Sequence, residues 1–288
     1  MKTAVMTDTN SGITVQKGKE DGIFVLPMPV IIDNKDYLEG VNVTHKDLYE
    51  AMRNGVDIHS SQPSLGALGE LWDSILKEGY EEIVYIPMSS GLSSSCDMAT
   101  AHAQKYNGKV VVVDNHRISL SLYEAVYDAK AYAEKGVTAK EIKEKLEQNA
   151  YNASIYITVN SLEYLKKSGR VTSAGATIAT VINLKPVLTI QGEKLDAYAK
   201  VRGMNNAKQK MIEALKKDLE TRFNNVPKDK IIVGTAGTFE HEEDAAAWLD
   251  MIKESFPEYE SCYLPLSCSI VCHVGIDSVG TAIVVRDR

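Results

Sequence analysis

The chain has 288 residues and contains no apolar run of 18, so no transmembrane helix is expected. Its opening stretch MKTAVMTDTN lacks the long apolar segment of a secretory leader, so no signal peptide and a cytoplasmic location are expected. Lysine and arginine form no basic block, and the net charge is −7, which argues against a nucleic-acid surface. Neither G-x-x-x-x-G-K-[ST] nor G-x-G-x-x-G occurs, which removes the common phosphate-cradling loops. The nucleophile elbow G-x-S-x-G is absent too. There are four cysteines, Cys96, Cys262, Cys268 and Cys272, and without an export signal they are expected to be reduced thiols. No internal repeat or low-complexity segment appears.

What is present is ordinary for a globular protein: 44% hydrophobic and 25% charged residues, enough to bury a core without disulfide or metal support. The first half alternates strand-like and helix-like segments. TAVMT ends at Asp8, EIVYIPM covers 82–88 and KVVVVDN covers 109–115, with helical periodicity between and after them. IFVLPMPVIID carries Pro27 and Pro29 and reads as an edge or irregular extended segment. This order predicts an open parallel sheet flanked by helices, with a ligand site beyond the carboxyl ends of the strands. The second half differs. It has a strand at 154–159, a short helix ending at Gly169, a small-residue helix AGATIATVIN and a hairpin around Gly192. A long amphipathic helix, a strand at 230–237, an acid-started helix and two short terminal strands follow. The fold class expected is therefore α/β: a parallel open-sheet domain at 1–150 and an α+β domain with a largely antiparallel sheet at 151–288.

Two clusters invite a chemical reading and have a plainer one. Cys268, Cys272 and His273 are not spaced as C-x-x-C, and buried small cysteines on a strand or loop account for them, so no metal site is expected. The four carboxylates of EHEED (240–244) suit a solvated helix start. The serines are less easily dismissed. SSGLSSS places five serines at 89–95, between a buried strand and a helix, and HSSQPSLGAL also runs into a helix with Pro63 in its first turn. Such ends offer hydroxyls and free N–H groups to an anion, although one serine per helix suffices for capping. Nucleophile, anion cradle and cap all remain open on these residues alone.

The motifs taken in order resemble the DegV family of bacterial fatty-acid-binding proteins. SSQPS (60–64) resembles its T-S-Q-P-S, and SSGLSSS resembles its S-S-x-L-S-G-T. VMTDTNSGI, VVVDNHRIS, LEYLKKSGRV, NLKPVLTIQGEKL and KVRGMNNA resemble further family segments in the family's order. The resemblance implies a two-domain DegV-like fold with one long-chain fatty acid between the domains and no other cofactor. It implies the role of a FakB-type subunit, which carries the acyl chain to a separate fatty acid kinase partner and is not itself the catalyst. By position, Ser60, Ser93 and His273 would hold the ligand carboxylate; Ser61, Ser94, Ser119 and Ser121 would line a further pocket; Arg170 and Arg202 would dock the kinase. Contact with a membrane would be transient.

The chain departs from the family where S-x-G-x-G is replaced by Ser119-Leu120-Ser121-Leu122 and G-P-G by Gly275-Ile276-Asp277. Lost glycines should alter the tail pocket, and an inward Asp277 would oppose a ligand carboxylate. Two other readings stand beside the carrier: a binder of a different amphiphile, and a serine-dependent acyl hydrolase.

Overall fold

Strand β1 (Thr3–Asp8) is buried along its whole length, and its side chains divide by parity. Val5 joins one apolar cluster, whereas Ala4 and Met6 join another on the opposite face. A strand with helices on both sides must be apolar in both phases, and TAVMT is. The computed structural model of the chain describes residues 2–173 and 184–288.

One compact unit gathers the chain up to Tyr151 together with Ser267–Ser269 and Arg288. After β1 come α1 (Val15–Asp21), β2 (Phe24–Leu26), β3 (Pro29–Ile32) and β4 (Lys35–Leu38). Then follow α2 (His45–Arg53), β5 (Ile58–Ser60), α3 (Leu65–Lys77) and β6 (Glu82–Ile86). The series ends with α4 (Ser95–Ala103), β7 (Val110–Val112), α5 (Ser119–Glu134) and α6 (Ala139–Gln148). The main sheet has the order β2-β1-β6-β7 and is parallel throughout. On one face Leu122, Val126 and Ala129 of α5 and Ile142 of α6 pack on Val5, Val84 and Ile86. On the other, Leu68, Trp72 and Ile75 of α3 and Ala99 of α4 pack on Met6, Ile83 and Tyr85.

The segment with two prolines departs from expectation. Its first part, β2, is an edge strand, but its second part, β3, is the middle of a small antiparallel sheet of order β4-β3-β5. Pro29 is tolerated there because it is the first residue of the strand, where no ladder donor is lost from the interior.

The other unit runs from Asn152 to Leu266 and from Ile270 to Asp287. It contains β8 (Ala153–Thr158), α7 (Glu163–Ser168), β9 (Leu184–Ile190), β10 (Asp196–Arg202) and α8 (Met204–Thr221). These are followed by β11 (Ile231–Gly237), α9 (Glu242–Ser255), β12 (Tyr263–Pro265), α10 (Cys268–Val274), whose first two residues belong to the first unit, and β13 (Val279–Val285). Its sheet, β10-β9-β8-β13-β11-β12, is antiparallel except between β11 and β12. Met211 and Leu215 of α8 and Trp248 and Ile252 of α9 close over Tyr156, Val233 and Ile283. The Trp248 indole finds its acceptor in the Gly280 carbonyl at 2.8 Å, and the Tyr156 hydroxyl donates to Asp218 at 2.8 Å. The parallel sheet and the mostly antiparallel one match the expected α/β class. The small-residue helix expected at AGATIATVIN lies outside the described residues. Cys268 and Cys272, expected on a strand or loop, lie on helix α10. The local sequence CSIVCHV has weak helix propensity, so tertiary burial sets this helix.

Candidate functional site

In the parallel sheet the chain passes from β1 to β2 on one side and then to β6 on the other. Such a reversal leaves a crevice outside the carboxyl ends of the two diverging strands. Asp8 ends β1 at that place. Its Oδ1 accepts from the Asn10 N–H at 2.9 Å, capping the turn Thr9–Ser11, and its Oδ2 accepts from the Met88 N–H at 3.1 Å. One carboxylate thus ties the exit of β1 to the exit of β6. Burial pushes the Asp8 carboxyl up to about 6, against the lowering effect of the Met88 and Asn10 hydrogen bonds.

The serine loop leaves β6 at the same edge. The Ser89 N–H donates to the Arg117 carbonyl at 3.0 Å and the Ser90 N–H to Asp114 Oδ1 at 3.2 Å. The Ser89 carbonyl then accepts from both Leu92 and Ser93 N–H at 3.1 Å, and the Ser89 hydroxyl accepts from Gly91 at 3.2 Å. Ser93 Oγ accepts from the Ser95 N–H at 3.2 Å and lies 2.8 Å from Ser95 Oγ. Ser94 stands at the N-cap of α4 yet makes no capping bond with its side chain; its hydroxyl accepts from the Gln62 amide. The first turn of α4 therefore retains N–H groups that its own helix cannot satisfy.

Ser60 is not at a helix start, as the sequence suggested. It closes strand β5, paired with Val30. The helix begins four residues later, where the Ser64 hydroxyl accepts from the Ala67 N–H at 3.0 Å, and Pro63 precedes that cap. Ser61 donates its N–H to the Pro29 carbonyl at 3.1 Å and its hydroxyl to the Gln62 carbonyl at 3.3 Å. The Gln62–Ser94 bond joins the two serine motifs within one unit.

The loop from β7 to α5 borders the same edge. His116 and Ser119 hold positive φ, 55° and 52°, which costs a residue with a Cβ and persists only where the surroundings fix it. Arg117 supplies the fixing. It is buried, and its guanidinium donates to the carbonyls of Asn149 at 2.6 Å, Ala150 at 3.2 Å and Ser121 at 3.3 Å. Among the described residues the buried Ser119 hydroxyl has no hydrogen-bond partner. The Ser121 hydroxyl is committed to its own turn, donating to the Ile118 carbonyl at 2.8 Å and accepting from the Ile118 N–H at 3.3 Å. Leu122 enters the core beside Val5 and Val84. The segment Ser119–Leu122 therefore feeds the turn and the core of this unit.

In the second unit His273 lies on α10 and is half-buried. Burial, aided by the nearby Arg170 charge, lowers its imidazole to about 4, so the ring is neutral at pH 7. Arg170 also donates to the Ser168 carbonyl at 2.5 Å. Arg202 is exposed at the end of β10. Asp277 takes φ 58°, a conformation that suits the glycine for which it stands, and that aspartate tolerates better than most residues. Asp277 is exposed, and partial loss of hydration, with Glu240 and Asp244 nearby, raises its carboxyl. Asp8 and Arg117 were not singled out as site residues from sequence; a strand-terminal Asp before a turn was the only signal for the first.

These features define a mixed α/β protein of two units with a hydroxyl-rich loop at the carboxyl edge of its parallel sheet. The DegV family model matches residues 2–286, and the chain belongs to the DegV family. A DegV domain-containing protein of Deinococcus radiodurans is 27% identical over 98% of both chains. Another from Staphylococcus aureus is 26% identical over 89% of this chain and 88% of its own. A DegV family protein of Thermus thermophilus, described for its fatty acid binding, superposes with a TM-score of 0.88 at 25% identity, covering 99% of this chain and 100% of that one. DegV of Bacillus subtilis, a fatty-acid-binding protein, superposes with a TM-score of 0.86 at 23% identity, covering 99% of this chain and 100% of its own.

Proposed function

We propose that the chain binds a long-chain fatty acid and presents it to a separate fatty acid kinase partner, without catalysing the transfer itself. The observation that carries this reading is the serine loop at the sheet edge. Its Ser93 hydroxyl is a neutral donor beside the open first turn of α4, and Gln62 ties it to the segment bearing Ser60. The fatty acid binding of the Thermus thermophilus relative supports it. In this reading Ser60, Ser93 and His273 satisfy the ligand carboxylate. A carboxylate taken from water needs several donors, and a neutral set leaves its oxygen nucleophilic enough to react once presented. The tail supplies the affinity: each buried methylene contributes about 0.8 kcal/mol, and ten contribute about 8 kcal/mol before ordering costs. Arg170 and Arg202 are assigned to the kinase, with the Arg170 charge also acting on His273. The chain works in the cytoplasm in this proposal; among the described residues no helix is long and apolar enough to cross a membrane.

The test is to denature the purified protein and analyse released lipid by mass spectrometry. An acyl species is expected; its consistent absence, with no uptake of added fatty acids, would sink the proposal, and a different amphiphile would replace it. Ser93→Ala should weaken fatty acid binding by about 1–3 kcal/mol, the cost of a buried acceptor left unsatisfied, and unchanged affinity would remove Ser93 from the site. The hydrolase alternative is less well supported, because the Ser93 hydroxyl pairs with Ser95 and, among the described residues, with no imidazole.

A further inference from the structure

Glu39 and His45, at the two ends of the connection from β4 to α2, and Cys268, far along the chain, all belong to the first unit. One ligand atom from each lies within 4.8 Å of the other two. We propose that these three residues form a binding site for a thiophilic divalent cation of the zinc type, distinct from the serine loop.

The donor set is the first argument. A thiolate, an imidazole and a carboxylate together favour zinc or cobalt over the hard cations magnesium and calcium, which prefer oxygen alone. Three protein ligands would leave one position of a four-coordinate ion to water or another small ligand.

The second argument is how the site is held. Glu39 is buried, and a buried carboxylate requires hydrogen bonds, a counter-charge or a cation. Its Oε2 accepts from the Thr9 hydroxyl at 2.7 Å, and its Oε1 accepts from the Cys268 N–H at 2.6 Å. These two bonds take one lone pair from each oxygen, and the lone pair that the Cys268 thiol reaches is released when that thiol loses its proton. Thr9 is itself fixed, accepting from the Met28 N–H at 3.2 Å, while the Glu39 N–H donates to the Met28 carbonyl at 3.1 Å. Orienting bonds of this kind are what surround the ligands of a metal site. The segment that carries Cys268 is pinned as well: the Ser267 hydroxyl donates to Asn10 Oδ1 at 2.9 Å, and Ser269 donates to the same atom. His45, the first residue of α2, is half-exposed and offers a path of entry.

The plainer account is that the Cys268 thiol simply donates to Glu39. Metal binding would replace that hydrogen bond: the thiol proton goes to the buffer as the sulfur–metal bond forms. Cys272 and His273, the sequence neighbours that invited a metal reading, are not partners in this site.

The full chain, freed of metal by chelation and dialysis, is titrated with Co²⁺ alone and then with Zn²⁺ alone. One Co²⁺ per chain is expected, with a thiolate-to-metal charge-transfer band, proton release to the buffer and displacement by Zn²⁺ but not by Mg²⁺. Cys268→Ser should abolish the band. His45→Ala, at a half-exposed position, should weaken binding by roughly tenfold or more. Absence of binding, a Co²⁺ spectrum without the thiolate band, or binding undiminished in both variants would overturn the proposal.

Discussion

The most direct quantitative consequence of the sheet-edge geometry concerns Asp8. Its carboxyl stands at about 6, raised from 3.8 chiefly by burial, a difference of about two pH units. At about 1.4 kcal/mol per unit this corresponds to roughly 3 kcal/mol. The folded chain holds this proton more tightly than the unfolded chain. Asp8 therefore contributes stability that is fully present below pH 4 and lost as the pH rises through 6. Asp8→Asn removes the titration; its carbonyl can accept one of the two N–H bonds, but its amide opposes the other. The variant should be measured against wild type by urea denaturation at intervals from pH 4 to pH 7.5. The wild type should gain about 3 kcal/mol relative to the variant as the pH is lowered across that range. Carboxyl-carbon NMR of the wild type should place the Asp8 midpoint near 6. A flat difference curve, or a midpoint near 4, would refute the reasoning that burial outweighs the Met88 and Asn10 hydrogen bonds.

Three further outcomes follow from other parts of the molecule. Arg288 pairs with Glu124 at 2.5 Å and Asp128 at 2.9 Å, carboxylates only 2% and 3% exposed, so Arg288→Ala should cost about 3–5 kcal/mol in urea denaturation. At Gly275 (φ 77°) a Cβ would lie 2.7 Å from the Tyr164 ring; Gly275→Ala should lose about 1–2 kcal/mol from its backbone alone and more from the clash. The clash component should disappear in a Tyr164→Ala background, and a thermal-melt double-mutant cycle that shows no coupling would rule it out. His273 is held near 4, mainly by burial, so it contributes stability above its unfolded value near 6.5 that is lost as the pH falls through 4. Imidazole NMR should show a neutral ring at pH 6, and a midpoint between 6 and 7 would contradict its burial.

The layers were legible in the sequence because burial on both faces requires long apolar runs and helices require a 3.6-residue period, and TAVMT, EIVYI and VVV carry those marks. β4 was not legible: KDYL is largely exposed, and it is a strand because β3 lies beside it. Ser60 was misplaced because Pro63 resembles a first-turn proline, whereas Ser64 holds the capping bond. Buried charges had almost no local signature, a strand-terminal Asp before a turn being the one for Asp8. Asp8 meets Met88 from 80 positions away, and Glu39 meets Cys268 from 229 away. The serine run shows the limit most clearly. Five hydroxyls exceed what a helix cap uses, which made an anion site plausible from composition. Part of the surplus is absorbed by the loop: the Ser89 hydroxyl closes a turn on Gly91, the Ser94 hydroxyl holds Gln62 and the Ser95 hydroxyl pairs with Ser93. Composition therefore argues for a densely tied loop more than for a ligand. The argument for a ligand narrows to Ser93, whose hydroxyl shares a bond with Ser95 and can turn its proton outward without leaving the loop untied, because its oxygen still receives the Ser95 N–H.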